Sequence, residues 1–478
     1  MMTERRDESW RNVDLRALSR RGPVHFMGIG GAGMSALAEL LARAGGTVTG
    51  CDLRTGAVAD ALRSHGVAVL AGHDTQHVAD AAGLVITSAI PSTHPEVAAA
   101  RERGIPVLKR AQALASIVSR GTVLAVAGTH GKTTTTAATT AILEAARLEP
   151  TGLVGGRMAA WGGGLHAGRD EIFVVEADEY DRSFLTLTPS AAVITSVEAD
   201  HLDIYGDLGA VERAFLDFAA QVRADGIIAV CSDDDGARRI GGRAGGPARI
   251  MTYGTDEPAE LRAVDVRQEG RRMTFAIEDR GEHLGTITLG SPGLHNVRNA
   301  LGAFALARHA GATFDAAQTA LLSFTGVARR FQELGSARGI TVIDDYAHHP
   351  TEIAATLATA RDTYPGRRLI AAFQPHLYSR TRDLAGEFGR VLAAADVVWV
   401  SDVYPAREAP IAGVTGELVT RAVEETGNAQ VRYTPTLDEM ARALREHLRE
   451  NDVLVAMGAG DIDEMAHDLL GTLTGTGA

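Results

Sequence analysis

The sequence has 478 residues, room for about three domains at ~150 residues each. Hydrophobic residues make up 45% and charged residues 22%, which suits large cores and excludes global disorder. Against 47 lysines and arginines stand 60 aspartates and glutamates, and the resulting charge of −13 excludes coating of nucleic acid or of an anionic membrane. Short β-branched runs alternate with Ala/Leu-rich helical stretches, the pattern of open parallel α/β sheets. The first block opens with a strand at Val24–Met27, a glycine turn and a helix at Ala36–Ala44. It continues through strands at Thr47–Thr49, Leu84–Thr87 and Ile105–Leu108. A second block runs through Thr122–Ala127, a helix at Thr135–Ala146, and strands at Ile172–Val175, Ala191–Val197 and Ile227–Val230. From Gly241, GGRAGGPAR reads as a glycine-rich loop. Alternation over Ala263–Ile277 and Leu284–Leu289 predicts a β-rich edge. The third block carries strands at Thr341–Ile343, Leu369–Phe373, Val397–Val400 and Val453–Ala456.

Two cysteines, Cys51 and Cys231, cannot build a disulfide framework and have no paired spacing for zinc; they read as small core or strand-end residues. The first twenty residues lack the apolar core of a signal peptide, and no run of ~18 apolar residues occurs. A reduced cytoplasmic protein without membrane insertion is the expectation.

Predicted strands run into polar or glycine residues, and ligands of open parallel sheets bind beyond the carboxyl ends of strands. Gly28-Ile29-Gly30-Gly31-Ala32-Gly33 follows a strand and opens a helix, and Asp52 ends the next strand. Glycines there let a pyrophosphate approach free amides at a helix start, so a nucleotide diphosphate is expected, NAD being one of several that fit. A second glycine loop, Ala127-Gly128-Thr129-His130-Gly131-Lys132-Thr133-Thr134, lies between strand and helix. Its glycines suit amides wrapped around phosphates, Lys132 a bridge between β- and γ-phosphates, and Thr133 a hydroxyl on Mg²⁺. The longer P-loop spacing would place glycine at Val126, a departure from the common form. Lys132 is one of only two lysines, with Lys109, so a compact point charge was kept where arginine is otherwise used.

Two strands then run into acids: Glu176-Ala177-Asp178-Glu179-Tyr180-Asp181, and Glu198-Ala199-Asp200-His201. An acid on a strand beside a P-loop commonly holds the nucleotide's metal, which points to Glu176, and His201 is placed to complete a second divalent site. Asp178, Glu179 and Asp181 read as loop-ordering or helix-start charges.

Together GIGGAGMS, AGTHGKTTTT, EADEYD, EADHLD, HNVRNA, ARRF, DDYAHHPTE, FQPHLYSRT, DVYPAREAPIAGVTGE and GAGD, from Val24 to Asp461, resemble the Mur ligases, ATP-dependent amide-bond formers of peptidoglycan synthesis. The resemblance implies an α/β chain of three domains. Residues 1–120 would be a Rossmann-like UDP-sugar-binding domain and 121–326 a P-loop ATPase-like domain with a β-rich edge. Residues 327–478 would be a Rossmann-like domain that binds the amino acid and closes over ATP. It further implies UDP-sugar contacts at Gly30, Gly31, Ala32, Gly33 and Met34, with Asp52, Ser88 and Ala89 nearby, and no hydride chemistry. ATP falls to Gly128, Thr129, His130, Gly131, Lys132, Thr133 and Thr134, with Asn299 at the adenine, Arg330 reaching the nucleotide and Asp345 at its ribose or phosphates. Thr133, Glu176 and His201 match the family's metal ligands, for two Mg²⁺ ions with Mn²⁺ as an alternative. Tyr346, His348, His376 and Arg380 match the amino-acid site, Arg380 being suited to a bidentate grip on a carboxylate.

The implied reaction phosphorylates the lactyl carboxylate of UDP-N-acetylmuramate with ATP and then joins it to L-alanine, with Lys132, Glu176, His201, His348 and Arg380 as catalytic residues. The alternative within the family attaches a tripeptide in muropeptide recycling; RRF, FQPH and YAHHPTE read more like the alanine-adding member. A monomer or weak dimer is expected. Three positions depart from the family: Tyr180 where serine is usual, Gly-Val-Ala before Arg329 rather than Gly-Thr-Gly, and Leu377 in place of a frequent arginine. Sibling ligases carry a carbamylated lysine in the central domain, and no lysine follows Lys132 here to supply one.

Overall fold

The computed structural model describes residues 9–475 apart from 54–55, 88, 257, 407 and 428–429, and leaves aside the side chains of 157, 159 and 203. Three sheets follow in chain order. The first joins β1 (Val24–Met27), β2 (Val48–Asp52), β3 (Ala68–Ala71), β4 (Gly83–Ile86) and β5 (Val107–Lys109) in the order β3-β2-β1-β4-β5, all parallel. Strand order reverses at β1, so the glycine loop after β1 lies at the topological switch point, where ligands of such sheets bind.

The second sheet takes β6 (Thr122–Ala127), β7 (Thr151–Met158), β8 (Gly163–His166), β9 (Ile172–Glu176), β10 (Ala191–Ile194), β11 (Ile227–Cys231), β12 (Arg249–Gly254), β13 (Leu261–Glu269), β14 (Arg272–Asp279) and β15 (Glu282–Leu289). Its order is β15-β14-β13-β12-β11-β10-β6-β9-β7-β8, and β6 again marks the reversal. The third sheet orders β16 (Gln332–Ala337), β17 (Ile340–Asp345), β18 (Arg368–Phe373), β19 (Val397–Val400), β20 (Val431–Tyr433) and β21 (Asp452–Met457) as β16-β17-β21-β18-β19-β20. Only β16 runs antiparallel there, beside β17.

Central strands are apolar throughout because helices cover both faces of a parallel sheet. Phe373, Val398, Val400, Val455 and Met457 pack on one face of the third sheet, and Trp399, Leu454, Ala456 and Ile370 on the other. The chain divides into two compact units, residues 1–264, 276–287 and 298–321 in one, and 265–275, 288–297 and 322–478 in the other.

The structure moves several predicted boundaries, each for a local reason. Helix Ala32–Arg43 starts four residues before the predicted Ala36, and helix Lys132–Ala145 three before Thr135, because Gly31 and Gly131 themselves serve as N-caps. The predicted strand Ala191–Val197 stops at Ile194: residues 195–197 turn aside to hold the glycine loop and Asp234, the cap of helix Asp235–Arg243. Only 244–248 of the predicted glycine-rich loop lie outside elements, since helix Asp235–Arg243 takes Gly241–Arg243 and β12 takes Arg249. Strands β7 and β8, unforeseen, are glycine-rich (TGLVGGRM and GGLH) and lack the β-branched run that marks a strand.

Candidate functional site

The second glycine loop is built by backbone constraints that only glycine meets comfortably. Gly128 has φ +139° and Gly131 φ +80°, and a Cβ at Gly131 would lie 2.4 Å from Asn299 Oδ1. Asn299 Oδ1 also accepts from Thr135 Oγ1 at 3.3 Å, placing the predicted adenine-site residue against the start of the loop's helix. Thr129 N–H donates to Ser196 O (2.8 Å) and His130 N–H to Ser196 Oγ (2.9 Å), while Thr129 Oγ1 accepts from Glu198 N–H (2.9 Å). Residues 195–198 therefore clamp the loop from the neighbouring strand. Gly131→Ala should lower stability by about 1–2 kcal/mol through the left-handed backbone alone and displace Asn299 besides. Thermal unfolding checks the first effect and the KM for ATP the second; wild-type values for both would refute it.

Lys132 Nζ donates to Gly128 O at 2.7 Å, Thr129 O at 3.3 Å and Glu179 Oε2 at 2.7 Å. Burial opposes its charge, but the carboxylates of Glu179, Asp178 and Glu176 outweigh it and hold the ammonium above its ordinary pKa. Glu179 corrects the sequence reading, which made it a loop-ordering charge: it is 2% exposed and is the lysine's partner. Burial pushes it up to about 7 against the pull of Lys132. Its second oxygen, Oε1, is buried without a hydrogen bond and lies 3.8 Å from His201 Nε2. Asp178 and Asp181 keep the expected role. Asp178 Oδ1 accepts from Tyr180 N–H (3.0 Å), and Asp181 pairs with Lys109 (2.8 Å).

Glu176, the last residue of β9, accepts from Thr133 Oγ1 (3.1 Å) and from Gly155 N–H (2.7 Å). A hydroxyl and a carboxylate side by side at a P-loop are the hard oxygen donors that Mg²⁺ prefers. The orphaned Glu179 oxygen beside His201 adds a second place suited to positive charge. Thr133 and Glu176 are thus brought together. His201 lies in the left-handed region at φ +53°, 3.8 Å from Asp200 and edge-on to Tyr180.

At the first glycine loop, Gly30 N–H donates to Asp52 Oδ2 at 2.9 Å, and Gly28 (φ +73°) turns the chain out of β1. Gly31 caps the helix that carries Ala32, Gly33 and Met34. The Met34 side chain is buried, which leaves only its backbone for a ligand. Ala89 N–H donates to Thr87 Oγ1 (3.2 Å), and Ser88 lies outside the described residues. A cleft of about 270 Å³ is lined by Ala32, Gly33, Arg110, Gly155, Glu176 and Asp178, so the first loop's helix and the Glu176 carboxylate share one space. Arg110, missed in the sequence, would meet a Cβ at Gly33 at 3.2 Å and reaches Asp178 at 3.9 Å.

In the unit that carries the third sheet, Tyr346, His348 and His376 do assemble. Successive ring centroids lie 5.3 and 5.7 Å apart, and His376 stacks on Tyr404 at 5.8 Å. Tyr404 belongs to the DVYPAREAPIAGVTGE motif, but the sequence assigns it no role; its β-bridge to His376 puts it there. Arg330 lies over the Tyr346 ring at 5.2 Å and pairs with Glu352 at 3.2 Å. His348 Nδ1 faces Tyr346 O at 2.9 Å, and Glu352 accepts from His348 N–H at 3.1 Å. Arg380 is buried in the first turn of helix Tyr378–Leu392, next to Leu377 at φ +68°.

Asp345 accepts from the N–H groups of Phe331 and Ala347, each at 2.7 Å, and burial raises it to about 6. Asp344 has no hydrogen bond to either oxygen, and burial raises it from 3.8 to about 6 against the pull of Arg329, 3.6 Å away. The folded state thus keeps a proton that the unfolded chain gives up near its ordinary pKa. The associated stability is present below about pH 4 and lost as pH rises through about 6. Relative to Asp344→Asn, the wild-type chain should lose about 2 kcal/mol over that range, read by denaturant unfolding at both ends. A difference independent of pH would contradict it.

The chain matches three family descriptions in succession: "Mur ligase family, catalytic domain" over residues 23–122, "Mur ligase middle domain" over 126–307, and "Mur ligase, glutamate ligase domain" over 329–460. Curated relatives include the UDP-N-acetylmuramate–L-alanine ligase of Salinibacter ruber, 44% identical over 93% of this chain and 94% of its own. That of Acidothermus cellulolyticus is 45% identical over 95% of each. Among solved structures, the UDP-N-acetylmuramate–alanine ligase of Thermotoga maritima superposes with a TM-score of 0.79 at 28% identity, covering 95% of this chain and all of that one. A murein peptide ligase from Psychrobacter arcticus gives 0.68 at 25%, covering 95% and 99%. With three family descriptions matched in succession and relatives 44–45% identical over nearly the whole of both chains, the chain belongs to the Mur ligase family.

Proposed function

We propose that the chain is an ATP-dependent ligase joining L-alanine to the lactyl carboxylate of UDP-N-acetylmuramate, the reaction for which its 42–45% identical relatives are named. The observation that carries the reading is the shared cleft. The helix start of the first glycine loop, which receives the sugar nucleotide, opens onto Glu176, whose carboxylate meets the P-loop hydroxyl of Thr133.

An unactivated carboxylate is a poor acyl donor, so the lactyl oxygen first attacks the γ-phosphorus of ATP. The bond to the β-phosphate oxygen breaks, leaving an acyl phosphate and ADP. The alanine amine then attacks the acyl carbon, inorganic phosphate leaves, and the amine proton passes to His348. Lys132 turns its ammonium from Glu179 and the loop carbonyls to the γ-phosphate, where charge accumulates. Thr133 and Glu176 would hold magnesium, with His201 as the further ligand, and the ion would offset the repulsion between an anionic nucleophile and an anionic phosphate. Asn299 takes the adenine. Arg330 and Asp345 serve the nucleotide, and Tyr346, His348, His376 and Arg380 the amino acid. Domain limits at 120/121 and 326/327 and a cytoplasmic location go with this reading; among the described residues no helix is long and apolar enough to cross a membrane.

The likeness to a murein peptide ligase supports a second reading, transfer of a preformed tripeptide to the same sugar nucleotide. ADP release with UDP-N-acetylmuramate, screened over alanine, glycine, serine and the tripeptide, separates the two. Preference for alanine is expected, and preference for the tripeptide would replace the first reading by the second.

A further inference from the structure

The first sheet buries a group of side chains that the ligation does not use. His25 of β1 and Cys51 of β2 point to one face, and His25 Nε2 lies 3.3 Å from Cys51 Sγ. Glu96, from the first turn of helix Pro95–Glu102, places Oε2 3.6 Å from the same sulfur and 3.8 Å from the same nitrogen. His77, from the 3₁₀ turn Thr75–Val78 after β3, brings Nδ1 to 4.0 Å from Glu96 Oε1. One donor atom from each of the four lies within 4.8 Å of every other.

Donors held 2.0–2.3 Å from a common ion at tetrahedral angles stand about 3.3–3.8 Å apart. The His25, Cys51 and Glu96 donors, at 3.3, 3.6 and 3.8 Å, have that spacing, and His77 at 4.0 Å closes in by a small side-chain shift. Two features are costly without an ion. Glu96 is 1% exposed, and its polar neighbours are Cys51 and the histidines 25, 73 and 77, with no lysine or arginine among them. His77 Nδ1 is buried with no hydrogen-bond partner. A buried carboxylate and an orphaned ring nitrogen facing one point both gain from a cation there.

We propose that His25, Cys51, His77 and Glu96 form a structural zinc site. Two imidazoles, a thiolate and a carboxylate form a borderline-soft donor set that favours Zn²⁺ over Mg²⁺ or Ca²⁺, and four protein donors close the coordination sphere. Thr49 Oγ1, 2.8 Å from His25 Nδ1, supplies the outer hydrogen bond that orients a ligating ring. His73 Nδ1, 3.1 Å from Glu96 Oε1, plays the same part for the carboxylate. On binding, the Cys51 proton leaves to solvent and the sulfur–zinc bond forms. The ion would tie β1, β2, the turn after β3 and helix Pro95–Glu102 together beneath the glycine loop, whose Gly28 and Ile29 N–H groups donate to Cys51 O. The proposal does not depend on which substrate the ligase takes.

Titration of the metal-free full-length chain with Co²⁺, in excess Mg²⁺ to occupy oxygen-donor sites, tests it. One equivalent should develop thiolate-to-cobalt charge transfer and intense tetrahedral d–d bands, displaced by one equivalent of Zn²⁺. Cys51→Ala should abolish the charge-transfer band and weaken zinc binding at least about a hundredfold, Glu96→Gln should weaken it similarly, and Cys231→Ala should change neither. Absence of the thiolate band in folded wild-type protein overturns the proposal whatever the variants do, and so does its persistence in Cys51→Ala.

Discussion

Replacing Lys132 by alanine is expected to lower ADP release in the complete reaction by about 10²–10³-fold, the cost of removing one preorganised charge from a phosphoryl-transfer site. The structure adds a consequence for stability. Glu179 is 2% exposed and its carboxylate is matched by Lys132 Nζ at 2.7 Å, so the alanine variant leaves a buried carboxylate without its cation, a loss of about 3 kcal/mol. The two effects separate in a double variant. Glu179→Gln added to Lys132→Ala should recover most of the stability in denaturant unfolding while ADP release stays low. Lys132→Arg should not restore turnover, because a planar guanidinium does not fit a site defined by the carbonyls of Gly128 and Thr129 on one side and Glu179 on the other. Wild-type turnover in either Lys132 variant would remove the lysine from the reaction.

Glu176→Ala is expected to have the next largest effect, at least about a hundredfold on turnover, with a raised requirement for Mg²⁺. Glu176 joins two elements: it accepts from Thr133 Oγ1 and fixes Gly155 N–H of β7. Glu176→Gln keeps one acceptor oxygen, which can stay on Gly155 N–H while its NH2 donates to the Thr133 hydroxyl, but loses the charge. If the charge matters, Gln and Ala variants should share the rise in Mg²⁺ requirement seen in an ADP-release titration, whereas only Ala should loosen the Gly155 amide in hydrogen exchange. A glutamine variant with a wild-type Mg²⁺ dependence would limit Glu176 to a hydrogen-bonding role.

Much of this centre was legible because open parallel sheets put chemistry at strand ends. Lys132, Thr133 and Glu176 could be chosen from glycines, one rare lysine and an acid closing an apolar run. Glu179 could not. EADEYD offers four acids in six residues, and which one turns inward depends on the positive φ of Asp181 and Arg182, where the chain doubles back. No propensity rule anticipates left-handed aspartate and arginine in succession. The departure of residues 195–197 from their strand was hidden for a related reason. Thr-Ser-Val ends on a β-branched valine that reads as an extension of the run, yet the backbone groups of Thr129 and His130 need partners, and Ser196 meets that need. Tyr404 and Arg110 were out of reach because each is placed by contacts with residues distant in sequence. The four donors beneath the first loop come from four elements over more than seventy residues, so no spacing rule could gather them.

The two lysines differ in one further respect that makes the folded chain chemically addressable. Lys109 is 56% exposed in its side chain, whereas Lys132 is 13% exposed and held as an ammonium by three carboxylates. An amine-directed reagent at mildly alkaline pH should therefore modify one side chain in the native protein, leaving a fluorophore at the start of helix Arg110–Val118, beside the arginine that lines the cleft. Occupancy of that cleft then becomes observable as a change in the emission of the dye on Lys109.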